Sequence, residues 1–367
     1  MPPAAHAKLA ARLRQGLRLH KSRADCFAAA ALSAINAKSV LLADIAAHLP
    51  GEAKTESKFR RLQNFFRELL PDYHAVACFI LGILRQVLGD KPLVLALDRT
   101  NWKARENDVN LLVLSVCLGD VGQPLLWTDL RHPGNSDTRK RIRITRRLLR
   151  LIDVKRIQCL VGDREFVGGD WFGWLLEAKI PFVMRLRENM KTTPEDGRMR
   201  EAAEHFAMLR RSECLDLGVC RVCGATMGVC GVRTRLDELL ILGYSGVSGA
   251  EANGFYLRRW NIEAGFQKLK THGFNVEESR LRGGGKYERL MAVLAVGFAW
   301  CYAMGTWSVE VDGRPIHLIQ RLGRLAESVF RRGREELAGL LLGSIRHFRS
   351  TSRAAFAPLR WACLVPS

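Results

Sequence analysis

Apolar positions three and four residues apart dominate the first 75 residues and predict helices there. Residues 28–35 and 40–48 carry this spacing, and Pro50-Gly51 interrupts it. Ser57 stands where it would cap a strongly basic amphipathic helix over residues 58–66, carrying Lys58, Arg60 and Arg61. A short helix, a break and a basic helix predict a helix-turn-helix-like module, the alternative being a packing segment with solvated arginines. A further helix is expected over residues 74–88.

The period then changes. Lys91-Pro92 introduces a strand-length apolar run ending at Asp98, and runs at 109–118 and 123–130 follow after turn-like breaks. Gly134-Asn135-Ser136 is placed to cap a basic helix reaching about residue 152. Next come a strand at 156–161, a helix at 171–178 and a strand at 182–186, so the order is β-β-β-α-β-α-β. Residues 190–248 alternate in short stretches rich in Gly, Cys and Val and predict a β-rich insertion. One long helix is expected over 251–271, with Gly273 beyond its end, and a basic helical tail from 310. The apolar stretch at 290–301 is shorter than a membrane span and reads as a buried helix. The expected divisions are 1–75 (helical), 76–189 (α/β), 190–248 (β-rich insertion), 249–309 (completing the α/β part) and 310–367 (basic and helical).

Composition narrows the partners. Of 367 residues, 57 are Lys or Arg against 37 Asp or Glu, a formal charge of +20. Such an excess repels itself unless a polyanion is the usual partner, which favours nucleic acid over a neutral small substrate. Charges interrupt the first 23 residues throughout, so no signal peptide is expected, and the expected location is the cytoplasm. The ten cysteines follow no repeating framework, in keeping with a reducing compartment. Cys214, Cys220, Cys223 and Cys230 contain one Cys-x-x-Cys pair but no second, which argues against zinc.

Asp98 and Asp163 each follow an apolar strand run, where a rigid element can hold a carboxylate in a cleft. On the predicted 251–271 helix, Tyr256, Arg259, Glu263 and Lys270 fall in one stripe roughly 60° wide at about 100° per residue. Phe255, Ile262, Phe266 and Leu269 form the apolar band beside it. A solvated face with an Arg259–Glu263 ion pair would be the plainer reading, but it has no need of Tyr256 or of this register.

The pattern Tyr-x2-Arg-x3-Glu-x6-Lys resembles the signature of bacterial insertion-sequence DDE transposases of the "IS-four" type. The stretches Leu97-Asp98-Arg99-Thr100-Asn101-Trp102 and Gly162-Asp163-Arg164-Glu165-Phe166 resemble the blocks around that family's two aspartates, and Leu269-Lys270-Thr271, Gly273-Phe274 and Glu278 continue the third block. The resemblance covers roughly residues 90–305. It implies a mixed α/β fold with a ribonuclease-H-like catalytic core, to which the β-β-β-α-β-α-β order corresponds, preceded by an N-terminal helical DNA-binding domain. It also implies cut-and-paste transposition: Asp98, Asp163 and Glu263 as catalytic metal ligands, two Mg²⁺ ions (Mn²⁺ able to substitute), and Tyr256, Arg259 and Lys270 on DNA phosphates. The expected partners are terminal inverted repeats and target DNA, bound by a homodimer. The chemistry agrees independently: in-line displacement at phosphorus charges both the attacking and leaving oxygens, and two cations about 4 Å apart stabilise both. Three clustered carboxylates repel one another unless cations join them.

Other basic segments are less specific. Arg139, Lys140, Arg141, Arg143, Arg146 and Arg147 crowd one predicted helix, and Arg331, Arg332 and Arg334 another; each set fits DNA backbone or plain solvation. Trp260 is expected in the core or stacked on neighbouring chain. Rolling-circle chemistry is excluded because none of the nine histidines forms a His-hydrophobic-His pair, and a tyrosine recombinase because the last tyrosine, Tyr302, lies in an apolar stretch. Two alternatives stay open: a nuclease that cuts without joining, and a non-enzymatic DNA-binding regulator, for which three acids against phosphates serve no purpose.

Overall fold

The computed structural model of the chain describes residues 3–69, 71–104, 107–195, 197–270, 273–281, 285–319, 324–342 and 355–359. The chain forms two compact units. One joins Met1–Gly89, Asn101–Asn110 and Ala264–Ser367; the other joins Asp90–Thr100 and Leu111–Glu263.

The first unit opens with helices α1 (Pro3–Gly16), α2 (Lys21–Ala37), α3 (Leu42–His48), α4 (Thr55–Glu68), α5 (Tyr73–Ile83) and α6 (Arg85–Leu88). Small side chains from Ala28 to Ala31 let α2 be buried on nearly every side. Its end is set by Lys38, whose left-handed backbone (φ 54) turns the N–H back onto the Ala34 carbonyl. Helix α4 is amphipathic as expected, burying Leu62, Phe65 and Phe66. Ser57 is not its cap: the helix starts two residues earlier, behind Lys54, and Ser57 lies in its first turn. Asp72 does cap α5, accepting from the N–H groups of His74 and Ala75.

In the second unit the strands are β1 (Leu93–Ala104), β2 (Asn107–Leu118), β3 (Val121–Asp129), β4 (Ile157–Gly162), β5 (Phe182–Arg185), β6 (Lys191–Pro194), β7 (Arg200–Glu201), β8 (Cys214–Val222), β9 (Ala225–Arg233) and β10 (Leu239–Ser245). The far ends of β1 and β2 belong to the first unit. Between the strands come α7 (Thr138–Leu149), α8 (Gly169–Glu177) and the short α9 (Ala202–His205). The element order is the expected one, β1-β2-β3-α7-β4-α8-β5. All ten strands form a single sheet in the order β3-β2-β1-β4-β5-β10-β9-β8-β6-β7. β1, β4 and β5 are parallel, and their apolar runs are buried, as parallel strands require. The insertion extends this sheet, because β10 returns antiparallel to β5. Asp137, not Ser136, caps α7 by accepting from the Lys140 N–H.

The expected single helix at 251–271 is two helices, α10 (Gly249–Leu257) and α11 (Trp260–Lys270), broken at Arg258-Arg259. Around the break the N–H groups of Arg258, Arg259, Asn261 and Ile262 bond three residues back, so the turn tightens. A capping box of Ser248 and Glu251 starts α10.

Back in the first unit, α12 (Lys286–Glu310) runs through the centre and packs on α2, α4, α5 and α6. It is longer than the apolar stretch suggested, and by length and composition could cross a membrane, but 89% of its most apolar window is buried within the protein. The tail is not wholly helical: β11 (Leu318–Ile319) and β12 (Arg324–Leu325) form a small ladder before α13 (Val329–Leu342). α13 crosses α12 closely at Gly305 and Gly333, where a Cβ would overlap the other helix's backbone.

Candidate active site

The parallel pairing of β1 with β4 ends at Leu97 opposite Gly162. The next residues are Asp98 and Asp163, so strand register alone delivers two carboxylates side by side at the edge of the parallel ladder. Asp98 lies within β1, since the strand continues past the ladder's end, and Asp163 is the first residue beyond β4. Asp98 Oδ1 accepts the Arg99 backbone N–H at 2.7 Å.

The helix break supplies the rest. Arg259, 4% exposed, places Nη1 2.6 Å from Glu263 Oε1 and 3.4 Å from Asp98 Oδ2. Its guanidinium also lies 5.6 Å from the Tyr256 ring and 5.0 Å from that of Trp260. The Tyr256 hydroxyl donates to Asp163 Oδ1 at 3.2 Å. Three acids on three elements are therefore linked by one buried cation and one buried phenol. Of the two places expected for Trp260, it takes the second: it is 55% exposed and stacks against neighbouring chain at Arg259 instead of entering the core.

Burial pushes the Asp98 carboxyl up to about 6, with Asp163 and Glu263 adding to the rise and the Arg99 N–H and Arg259 opposing it. Burial likewise raises the Tyr256 hydroxyl, keeping it a donor. For Arg259 burial works against the charge, but Tyr256, Glu263 and Asp163 outweigh it and the group stays cationic.

A second network, which the sequence reading missed, ties β1 just past Asp98 to the turn that follows Asp163 and to the segment before α7. Arg99 Nε donates to Glu165 Oε2 at 2.5 Å, and Glu165 Oε1 accepts from the backbone N–H and hydroxyl of Ser136, each at 2.9 Å. Buried Arg141 in turn donates to the Ser136 hydroxyl at 3.0 Å and carbonyl at 2.5 Å. Their only sequence signal is adjacency: Arg99 follows Asp98, and Glu165 lies two residues past Asp163. Arg141 is thus a structural residue, unlike exposed Arg139, Arg143 and Arg146 on the same helix. The α13 set is similarly committed: Arg331 pairs with Glu335 and Arg332 with Glu327, and Arg334 is buried.

Lys270 falls in the first unit, where Nζ donates to the Asn101 carbonyl at 2.7 Å and lies 3.8 Å from Glu277. Burial lowers its pKa, Glu277 opposing. The next motif residue, Thr271, lies outside the described residues. On α4, Arg60 and Arg61 are exposed and Lys58 half-exposed, Arg61 reaching the Ser22 carbonyl at 3.5 Å.

Among the described residues, no three His, Cys, Asp or Glu side chains are gathered as a ready-made metal cage. The cysteines at 214, 220, 223 and 230 remain free thiols. The acid set nonetheless has the chemistry for a hard divalent cation: it offers carboxylate oxygens alone, and a cation, Arg259, already lies between two of them. The Arg259 Nε beside them is buried without a hydrogen-bond partner, so the cluster is incompletely satisfied as it stands.

No curated protein matches the chain. Residues 89–297 match a family model described as a transposase DDE domain, a span that includes Asp98, Asp163, Tyr256, Arg259, Glu263 and Lys270.

Proposed function

The chain belongs to the transposase DDE-domain family, and from that premise we propose that it cuts DNA at the ends of a mobile element and joins them to target DNA by a cut-and-paste route. The observation that carries this reading is the linkage of Asp98, Asp163 and Glu263 through Arg259 and Tyr256. In this reading the three carboxylates hold divalent cations, Mg²⁺ with Mn²⁺ able to substitute. Such ions, when bound, stabilise charge on the attacking and leaving oxygens of an in-line displacement at phosphorus.

The protein's own groups prepare the site. Arg259 offsets the repulsion between Asp98 and Glu263, and Tyr256 orients Asp163 by donating to one of its oxygens. Once DNA enters, Arg259 and Tyr256 serve the scissile strand's phosphates, and Lys270 serves phosphates further along. Arg suits this work because its planar fork matches phosphate oxygens. Lys58, Arg60 and Arg61 on α4 add sequence-independent contacts to the duplex. The working form on inverted-repeat DNA is a homodimer in a bacterial cytoplasm.

The test is single-turnover cleavage of DNA bearing the element's ends, with full-length protein and Mg²⁺. Asp98→Ala, Asp163→Ala and Glu263→Ala should each abolish cleavage while end binding stays close to wild type and unfolding remains cooperative. Near-normal cleavage by any one of them would strip that residue of its ligand role.

A further inference from the structure

Beside Asp163 lies a cleft of about 580 Å³ walled by the turn after β4 and the turn after β5. Four arginines line it: Arg99, Arg164, Arg185 and Arg187. Two are committed, Arg99 to Glu165 at 2.5 Å and Arg185 to Glu238 at 2.7 Å. Arg164 and Arg187 are exposed and enter no ion pair among the described residues. Glu188, also exposed on the lining, is the acid left unneutralised besides Asp163.

The two turns are fixed to each other. Arg187 Nε donates to the Arg164 carbonyl at 3.2 Å, the Phe166 N–H closes the first turn onto the Asp163 carbonyl at 2.8 Å, and the Met190 N–H closes the second onto the Arg187 carbonyl at 3.1 Å. Arg187 therefore spends one donor on the scaffold and keeps its terminal nitrogens, and Arg164 keeps its whole fork. Asn189 on the lining adds a neutral hydrogen-bonding group alongside, while Asn135 Oδ1 already accepts from Arg99 at 3.1 Å. The volume is that of a small-ligand site, which admits a stretch of one strand and not a double helix.

We propose that Arg164 and Arg187 form a phosphate clamp for a single DNA strand running past Asp163. This rests on the function proposed above and extends it to residues outside the Tyr/Arg/Glu/Lys pattern. Guanidinium groups with no carboxylate partner, held on turns locked together, are preorganised for phosphate oxygens, and they lie where a strand presented to Asp163 must continue.

The experiment is binding of full-length protein to a short single-stranded oligonucleotide across a salt series, in EDTA so that no strand is cut. Each phosphate contact on a single strand contributes about 0.7 to the slope of log K against log salt. Arg164→Ala/Arg187→Ala should lower the magnitude of that slope by about 1.4, with cooperative thermal unfolding retained, and Arg164→Lys/Arg187→Lys should restore most of it. A wild-type slope in the alanine variant, or a loss that lysine does not restore, overturns the clamp. Wild-type protein without affinity for single- or double-stranded DNA would instead overturn the proposed function itself.

Discussion

At pH 7 Asp98 carries its charge in a place where burial disfavours charge. Its carboxyl titrates near 6 when folded and near 3.9 when unfolded, so between these values the folded chain binds more protons. Folding stability therefore falls as pH rises from about 4 to 6, and the whole cost is present above that. Asp98→Asn keeps an acceptor for the Arg99 N–H and removes the charge. It should raise stability at pH 7 by about 1–3 kcal/mol while abolishing cleavage, and the gain should vanish below about pH 4. Urea unfolding at pH 4 and pH 7 checks this; no gain at pH 7 would mean the charge is better compensated than the structure implies. At this scale the acids were legible because each ends an apolar run or sits in a spaced pattern. Arg141 was not: as one of six basic residues on a helix, only its hydrogen bonds to Ser136 distinguish it from its solvated neighbours.

Among the elements, α11 is placed by a close approach to β3. A Cβ on Gly122 would lie 2.7 Å from Ile262 Cα and 3.1 Å from the Asn261 carbonyl oxygen, all backbone and unable to rotate away. Gly122→Ala must push back the first turn of α11, which carries Glu263. The expected result is a stability loss of about 1–3 kcal/mol, with cleavage falling further than the unfolding data explain. Gly173→Ala, mid-helix with nothing within 4 Å of the new Cβ, should be neutral or slightly stabilising. Equal cleavage by the two variants would show that Gly122 does not set Glu263. The strands were readable because parallel strands buried on both faces leave unbroken apolar runs in the sequence. The break at Arg258-Arg259 was hidden, since arginine is a good helix former and only the contacts of Arg259 with Asp98 and Glu263 explain its position. The cap of α7 was misplaced by one residue because Ser136 and Asp137 both suit the role and Ser136 is taken by Glu165.

Over the whole molecule the +20 charge predicts a strongly salt-dependent affinity for DNA, and the contribution proposed for the α4 face is measurable in the same way. Lys58→Ala/Arg60→Ala/Arg61→Ala in the full chain should lower the duplex-binding slope against log salt by about 2.7, at about 0.9 per contact. An unchanged slope would make α4 a packing helix with solvated cations. The union of residues 1–89 with 264–367 had no sequence signal, because it depends on which distant apolar faces meet on α12. The central claim is that the acid cluster both cuts and joins DNA. It is tested most directly by incubating pre-cleaved element ends with a supercoiled target plasmid, Mg²⁺, and either wild-type protein or Asp163→Ala. Wild type should join end DNA covalently to the plasmid and the variant should form no joined product. Cutting without joining by wild type, or joining by Asp163→Ala, would contradict the account.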